Sequence, residues 1–123
     1  MEKKKILAVD DDAVTLKLLV QQLSAEGYEV FTAKNGSEAL MLAKEKVPHL
    51  ILLDIMMPDL DGGRVGQRLK EEPLTKNIPI VFLTSMLSKE EAFEKGGVIG
   101  GNVFIAKPYE RKELLETIKK IIA

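Results

Sequence analysis

The stretch Leu50-Ile51-Leu52-Leu53-Asp54 decides the fold of this chain. Four aliphatic residues in a row are typical of a strand buried on both faces, as the strands of a parallel sheet are. A carboxylate at the end of such a strand must be paired, hydrogen-bonded or metal-bound, because an isolated charge at the rim of a core is costly. Ile6-Leu7-Ala8-Val9 repeats the pattern and runs into Asp10-Asp11-Asp12. We therefore interpret the molecule as a scaffold that brings two acidic strand ends together.

The composition restricts the class of protein. The 123 residues, 46% hydrophobic and 30% charged, predict one globular domain over residues 1–123. A net charge of -1 argues against a nucleic-acid surface, and the lack of cysteine excludes disulfides and thiolate metal sites. No apolar run approaches the roughly 20 residues of a membrane span, and the first one is too short for a signal peptide. We therefore expect a cytoplasmic protein.

Five apolar, β-prone runs alternate with helical patterns. The spacing predicts strands at 5–9, 29–33, 50–54, 80–84 and 103–106. It predicts helices that begin near Ala13, Ser37, Arg64, Lys89 and Glu110. Asp12 and Ser37 are the candidate N-caps of the first two helices. Regular β-α alternation predicts an α/β fold, in which five helices cover both faces of a parallel sheet.

The two acidic strand ends also predict the strand order. Neighbouring strands lie about 4.8 Å apart, so the order 1-2-3 would separate the first and third strand ends by roughly 10 Å. Two carboxylates that share one Mg²⁺ each lie about 2.1 Å from it, so these strands should be neighbours. The predicted order is therefore 2-1-3-4-5, the flavodoxin-like winding. Ligands of such sheets bind at the carboxyl ends beside the switch point.

Polar residues at the other strand ends complete a candidate site. The fourth strand ends in Thr84, and Lys107 follows the fifth. Crowded carboxylates repel one another, and a hard divalent cation such as magnesium or calcium relieves this with oxygen ligands alone. A cation, a lysine and a hydroxyl around one carboxylate suit phosphoryl transfer, which is catalysed mainly by positioning and charge neutralisation. Asp54 can then be the nucleophile and form an aspartyl phosphate.

Four motifs together resemble the receiver domain of two-component response regulators over essentially the whole chain. They are Ile6-Leu7-Ala8-Val9-Asp10-Asp11, Leu52-Leu53-Asp54-Ile55-Met56-Met57-Pro58 with Asp61-Gly62, Pro79-Ile80-Val81-Phe82-Leu83-Thr84, and Phe104-Ile105-Ala106-Lys107-Pro108. Each motif is weak alone, but four in order, each at a strand end, are specific. The resemblance implies a signalling domain, not an enzyme with a separate substrate. A sensor histidine kinase or phosphotransfer protein would supply its phosphoryl group.

The resemblance implies four residues around the metal and the phosphoryl group. Asp54 matches the phosphoacceptor. Asp11 matches the direct ligand of Mg²⁺, and Asp10 the acid that holds the metal through water. Met56 matches the position that lends its backbone carbonyl to the metal.

The resemblance also implies a switch. Thr84 matches the hydroxyl that moves to a phosphoryl oxygen, and Lys107 the lysine that contacts the phosphate. The peptide bond between Lys107 and Pro108 is expected to be cis. Phe104 matches the aromatic residue that turns inward when the threonine moves. The face formed by the fourth helix, fifth strand and last helix would then act on a protein partner or effector domain, and the same face is a candidate homodimer interface.

Two departures from the family pattern lead to hypotheses. Glycine pairs at 96–97 and 100–101 predict a short or mobile fourth helix, which we hypothesise orders on phosphorylation or partner binding. Met56 and Met86 lie where the family often carries polar residues that assist the attacking water, which suggests slow loss of the phosphoryl group. His49, the only histidine, is interpreted as a solvated turn residue.

Three other functions fit the sequence less well. A haloacid-dehalogenase-type phosphatase would need an acid at position 56, where Met56 stands. A flavin carrier would need a Ser/Thr/Gly-rich phosphate loop after the first strand, where three aspartates would repel a phosphate. A pseudo-receiver that only binds partners is disfavoured by the intact set of Asp11, Asp54, Thr84 and Lys107. With no effector sequence after Ala123, we expect a stand-alone receiver or a segment of a longer chain.

Overall fold

A computed structural model describes residues 3–55, 62–84, 98–99 and 102–122. Its strands are β1 (Lys5–Val9), β2 (Glu29–Ala33), β3 (Leu50–Asp54), β4 (Ile80–Thr84), β5 (Val98–Ile99) and β6 (Asn102–Ala106). Its helices are α1 (Ala13–Ala25), α2 (Gly36–Lys46), α3 (Gly62–Glu71) and α4 (Arg111–Ile122). The predicted helix near Lys89, Met56, Met86 and the glycine pairs lie outside the described residues. Within those residues, the structure contains no helix with the length and apolar character of a membrane span.

The five parallel strands follow the predicted order. The sheet runs β2-β1-β3-β4-β6-β5, so β6 is the fifth parallel strand of the order 2-1-3-4-5. Val9 at the end of β1 pairs with Leu53 near the end of β3, which sets the following acidic residues side by side. The strand order inferred from the acidic ends is confirmed.

The two-residue strand β5 was not predicted. It pairs with β6 in the antiparallel sense, with Val98 opposite Val103 and Ile99 opposite Asn102. Two paired residues between glycines are too few to show a period of two in the sequence. The pairing depends on backbone geometry rather than on side-chain pattern.

The two faces of the sheet carry separate cores. Successive strand residues point to opposite faces. Ile6 and Ala8 of β1 therefore join a cluster with residues of α1 and α4. Leu7 and Val9 join a cluster with residues of α2 and α3. Helices thus cover both faces, as the alternation of strands and helices predicted.

The helix starts follow local capping chemistry. Asp12 caps α1 as predicted, because its Oδ1 accepts a hydrogen bond from the Val14 N–H at 3.0 Å. The Thr15 hydroxyl donates to the other Asp12 oxygen at 3.0 Å, and this bond is the main cause that lowers the pKa of Asp12. The cap of α2 is Asn35 rather than Ser37, since the Asn35 side chain accepts from the Glu38 N–H at 2.8 Å. The helix therefore begins at Gly36.

Val47 ends α2 in an unusual backbone conformation. Its φ of 42° and ψ of 66° lie in the left-handed region, and 46% of the residue is exposed. Only Val47 combines a side chain with a positive φ among the described residues. A β-branched residue is strained there, because its Cβ approaches the following carbonyl.

His49, two residues on, is exposed as expected, and its Nδ1 accepts a hydrogen bond from the Lys5 N–H at 2.9 Å.

A compact turn connects α3 to β4. Thr75 is 1% exposed, and its hydroxyl donates to the carbonyl of Leu69 in the last turn of α3. The Lys76 N–H donates to the Glu72 carbonyl at 2.8 Å, and the Ile78 N–H to the Thr75 carbonyl at 3.0 Å. This segment is therefore anchored by one buried hydroxyl.

Candidate functional site

Three carboxylates meet at the carboxyl ends of β1 and β3. The Asp10 N–H donates to the Ala33 carbonyl at 3.1 Å, which extends the β1–β2 ladder by one residue. Asp10 is 2% exposed, Asp54 is 6% exposed and Asp11 is exposed. One oxygen of each of the three lies within 4.8 Å of the others. The sheet thus assembles the acidic cluster that the sequence predicted.

Lys107 places a cation among these carboxylates. Its N–H donates to the Thr84 carbonyl at 2.8 Å, which continues the β4–β6 ladder and fixes the start of the side chain. Its Nζ lies 3.1 Å from Asp10 Oδ2 and 3.7 Å from Asp54 Oδ1. Two buried negative charges share one lysine, so their mutual repulsion is partly offset. The peptide bond to Pro108 is cis, as expected.

The remaining contacts of Asp10 separate its role from that of Asp11. Asp10 Oδ1 accepts a hydrogen bond from the Asp12 N–H at 2.9 Å, while Oδ2 faces Lys107. Both Asp10 oxygens therefore already have a protein partner. Asp11 is exposed and is better placed to contact a cation directly. An all-carboxylate donor set suits a hard divalent cation such as Mg²⁺.

Thr84 and Phe104 lie on the two strands beside the acidic pair. Thr84 is buried at the end of β4, opposite Ala106 of β6. Phe104 is half-buried on β6 and lies opposite Phe82 of β4. The structure thus puts Thr84 at the same sheet edge as Asp54 and Lys107, and Phe104 two positions back from that edge. Met56, the predicted carbonyl ligand, falls outside the described residues.

Tyr109 was missed by the sequence reasoning. It is half-buried and packs against the cluster of α1 and α4, directly after the Lys107-Pro108 pair. Burial raises the pKa of Tyr109 to about 12, and the negative charge of Asp10 adds to that shift. The phenol is therefore a neutral group beside the acidic cluster at any physiological pH. Its place directly after Pro108 was the only signal in the sequence.

An apolar patch lies next to the site. Val14 and Leu18, one turn apart near the start of α1, are 75% and 52% exposed. The helix begins at the residue after Asp12, so the patch lies at the same edge of the sheet as the carboxylates. Contiguous exposed apolar patches that are rimmed by polar residues are typical of protein contacts.

Comparison with known proteins gives one family. A family model described as "Response regulator receiver domain" matches residues 6–119. The chain is 40% identical over 121 residues to "Probable transcriptional regulator ycf27" of Porphyra purpurea, covering 98% of this chain and 48% of that protein. It is also 40% identical over 121 residues to "Alkaline phosphatase synthesis transcriptional regulatory protein PhoP" of Bacillus subtilis (strain 168), covering 97% and 48%.

A solved structure supports the same likeness. The chemotaxis protein CheY4 of Vibrio cholerae matches with a TM-score of 0.83 and 31% identity, covering 98% of this chain and 99% of that one. The chain spans about half the length of the transcriptional regulators that it matches, and nearly the whole of this structure.

Proposed function

This chain belongs to the response regulator receiver domain family, and from that premise we propose that residues 1–123 act as one receiver that accepts a phosphoryl group on Asp54. The donor would be the phosphohistidine of a sensor kinase or of a phosphotransfer protein. The observation that carries the proposal is the meeting of Asp10, Asp11 and Asp54 with Lys107 at one sheet edge. The alternatives of a phosphatase or a flavin carrier have no comparable support.

The proposed reaction follows from the charges in the site. An Asp54 oxygen attacks the phosphorus, a P–O bond forms, and the P–N bond to the donor imidazole breaks. Lys107 lies 3.7 Å from Asp54 Oδ1 and would shift towards the new phosphoryl oxygens. Mg²⁺, when bound, would neutralise further negative charge on the transferred group. Asp11 and Asp54 would hold the cation directly, Asp10 would act through water, and Met56 would add its carbonyl.

The switch is the second half of the proposal. Thr84 would donate its hydroxyl to a phosphoryl oxygen, and Phe104 would follow it inward. The surface formed by β6, α4 and the predicted helix near Lys89 would then change its affinity for a protein partner, an effector domain or a second copy of the chain. A cytoplasmic location is part of the proposal, because the phosphoryl group comes ultimately from ATP.

The first test is the intact mass after incubation with Mg²⁺ and a small phosphodonor such as acetyl phosphate. We expect the natural protein to gain one phosphoryl group and Asp54→Ala to gain none. Asp12→Asn is the matched control, because it keeps a capping side chain and alters no proposed phosphate contact. A mass gain in Asp54→Ala would overturn the assignment. No gain in the natural protein, together with no Mg²⁺ binding, would favour the pseudo-receiver.

A second arm tests the protein donor. The exposed patch of Val14 and Leu18 is proposed as the contact for the kinase or phosphotransfer protein. Leu18→Glu should slow transfer from an autophosphorylated kinase and leave labelling by acetyl phosphate unchanged. Equal slowing with both donors would count against this contact, since a small donor needs no docking surface.

A further inference from the structure

Two phenylalanine rings form a stack beneath the site. Phe82 of β4 and Phe104 of β6 lie opposite each other in the strand register. Their ring centroids are 5.1 Å apart, with an angle of 23° between the ring planes. Phe82 is buried, and Phe104 is half-buried against the same cluster. Offset-stacked rings at this distance attract each other beyond the area that they bury.

Gly66 of α3 also lies against the Phe82 ring. A Cβ atom added to Gly66 would lie 3.0 Å from Phe82 Cζ and 3.4 Å from Phe82 Cε1. A contact of 3.0 Å is tighter than nine in ten real Cβ contacts, so the Phe82 ring would have to shift by a few tenths of an ångström to admit a side chain at position 66. The Phe82 ring thus lies against Gly66 of α3 at its Cζ and Cε1 atoms and is stacked with the ring of Phe104.

Thr84 lies on the same side of β4 as the Phe82 ring. Phe82 and Thr84 are two residues apart on β4, so their side chains point to the same face of the sheet. A movement of Thr84 and one of Phe104 would therefore both reach the Phe82 ring. Closely packed interiors transmit such movements, because they have few voids that could absorb them.

We propose that Phe82 is the positioning residue of the aromatic switch. The Phe82 ring holds Phe104 in the observed place and couples the movement of Phe104 to α3 through Gly66. The coupling rests on the proposed function, whereas the positioning can be tested in the unphosphorylated protein. It makes the exposed side of α3, with Arg64, Gln67 and Arg68, a second surface that responds to phosphorylation. A partner that binds α3 would respond to phosphorylation of the site, although α3 and α4 cover opposite faces of the sheet.

The first experiment uses the unphosphorylated protein with ¹³C-labelled phenylalanine rings. Phe82→Leu removes the stack, and we expect the ring signals of Phe104, assigned with Phe104→Leu, to shift. Gly66→Ala should also shift them, because the new methyl group displaces the Phe82 ring. Phe31→Leu is the matched control, the same substitution at a half-buried ring of the same cluster. Loss of the Phe82 ring current alone shifts the Phe104 signals, so the deciding variant is Gly66→Ala, which keeps both rings. Unchanged Phe104 signals in Gly66→Ala would overturn the positioning role.

The double variant separates a specific contact from general damage. Alanine is a better helix former than glycine, so Gly66→Ala should raise the unfolding midpoint once the Phe82 ring is absent. We expect the double variant of Gly66→Ala and Phe82→Leu to have a higher unfolding midpoint than Phe82→Leu alone. In the natural background, we expect Gly66→Ala to have a lower unfolding midpoint than the natural protein. If Gly66→Ala raised the unfolding midpoint equally in both backgrounds, the Phe82 ring would not be packed against Gly66.

The second experiment measures the coupling. Mg²⁺ with beryllofluoride imitates a phosphoryl group on a carboxylate, and amide hydrogen exchange of residues 62–71 reports on α3. We expect at least a two-fold change in exchange in the natural protein and in Phe31→Leu, and loss of that change in Phe82→Leu. Phe82→Leu should still gain one phosphoryl group from acetyl phosphate.

The outcomes separate the two proposals. A retained α3 response in Phe82→Leu, or no α3 response in a natural protein whose Phe104 signals do move, would overturn the coupling. No response anywhere and no phosphoryl gain in the natural protein would overturn the proposed function and the coupling with it. The positioning of Phe104 would still be decided by the unphosphorylated variants.

Discussion

At the scale of single residues, Tyr109 gives a prediction for alkaline pH. Its pKa is raised from 10.0 to about 12, so the folded state favours the neutral phenol. The resulting stability is fully present below pH 10 and is lost as the pH rises towards 12. We expect the free energy of unfolding of the natural protein to fall more steeply over this range than that of Tyr109→Phe. Denaturant titrations at pH 9, 10, 11 and 12 would measure the difference.

The absorbance of ionised tyrosine gives the control for this prediction. The chain has two tyrosines and no tryptophan, so Tyr109→Phe leaves only the buried Tyr28. A titration near pH 12 that disappears in Tyr109→Phe would confirm the assignment. Parallel stability curves for the two proteins would contradict it.

Val47 gives a prediction for backbone strain. The left-handed conformation of a β-branched residue costs about 1–2 kcal/mol, and glycine escapes this cost while losing more chain entropy on folding. We therefore expect Val47→Gly to raise the free energy of unfolding by up to about 1 kcal/mol. The exposed valine side chain has little burial to lose. Val47→Ala, which retains a Cβ, should gain less, and a Val47→Gly protein less stable than the natural one would refute the strain.

At the scale of elements, one hydroxyl holds the end of α3 and the turn after it. Thr75→Val keeps the shape but removes the donor to the Leu69 carbonyl. A buried acceptor that loses its partner costs about 1–3 kcal/mol, and we expect this loss in denaturant unfolding. Thr117→Val is the matched control, because the Thr117 hydroxyl donates to a helix carbonyl, that of Glu113, at an exposed site. Similar losses in both variants would show that burial of Thr75 is unimportant.

Some secondary-structure elements could be predicted from the sequence pattern, and others could not. The strands follow from runs such as Leu50 to Leu53, because burial on both faces leaves little choice of residue type. The predicted cap of α2, Ser37, was wrong, because Asn35 and Ser37 have similar capping chemistry and only the chain path selects Asn35. The left-handed Val47 could not be predicted, because a valine there opposes its own preference.

At the scale of the whole molecule, the acidic cluster links stability to Mg²⁺. A cation that binds only the folded state stabilises it by about 1.4 kcal/mol at a concentration ten times its Kd. We expect Mg²⁺ to raise the unfolding midpoint of the natural protein and EDTA to reverse the rise. Asp11→Asn should lose most of the effect, while Asp12→Asn, a change at the next residue, should keep it. Loss of the effect in Asp12→Asn alone would move the cation away from Asp11.

The meeting of Asp10, Asp11 and Asp54 was predicted from the sequence, but the contacts around them were not. The closeness of Asp10 and Asp54 was predicted from a shared cation, which requires neighbouring strands and thereby also gave the strand order. The bond between Lys107 and Asp10 was not predicted, since it depends on where a long side chain folds back over the edge of the sheet. The stack of Phe82 on Phe104 was missed for a similar reason. Pairing across β4 and β6 needs the register, which the sequence does not contain.

The short strand β5 has a consequence for self-association. An unpaired strand at the edge of a sheet is a template for the strands of other molecules, which is how many folded proteins begin to aggregate. β5 lies along the outer side of β6 and occupies two residue positions there. At the opposite edge, β2 begins with the exposed Glu29, and the Lys46 ammonium lies 5.4 Å from the centre of the Phe31 ring. Both edges of the sheet thus carry features that disfavour the addition of a strand from another molecule.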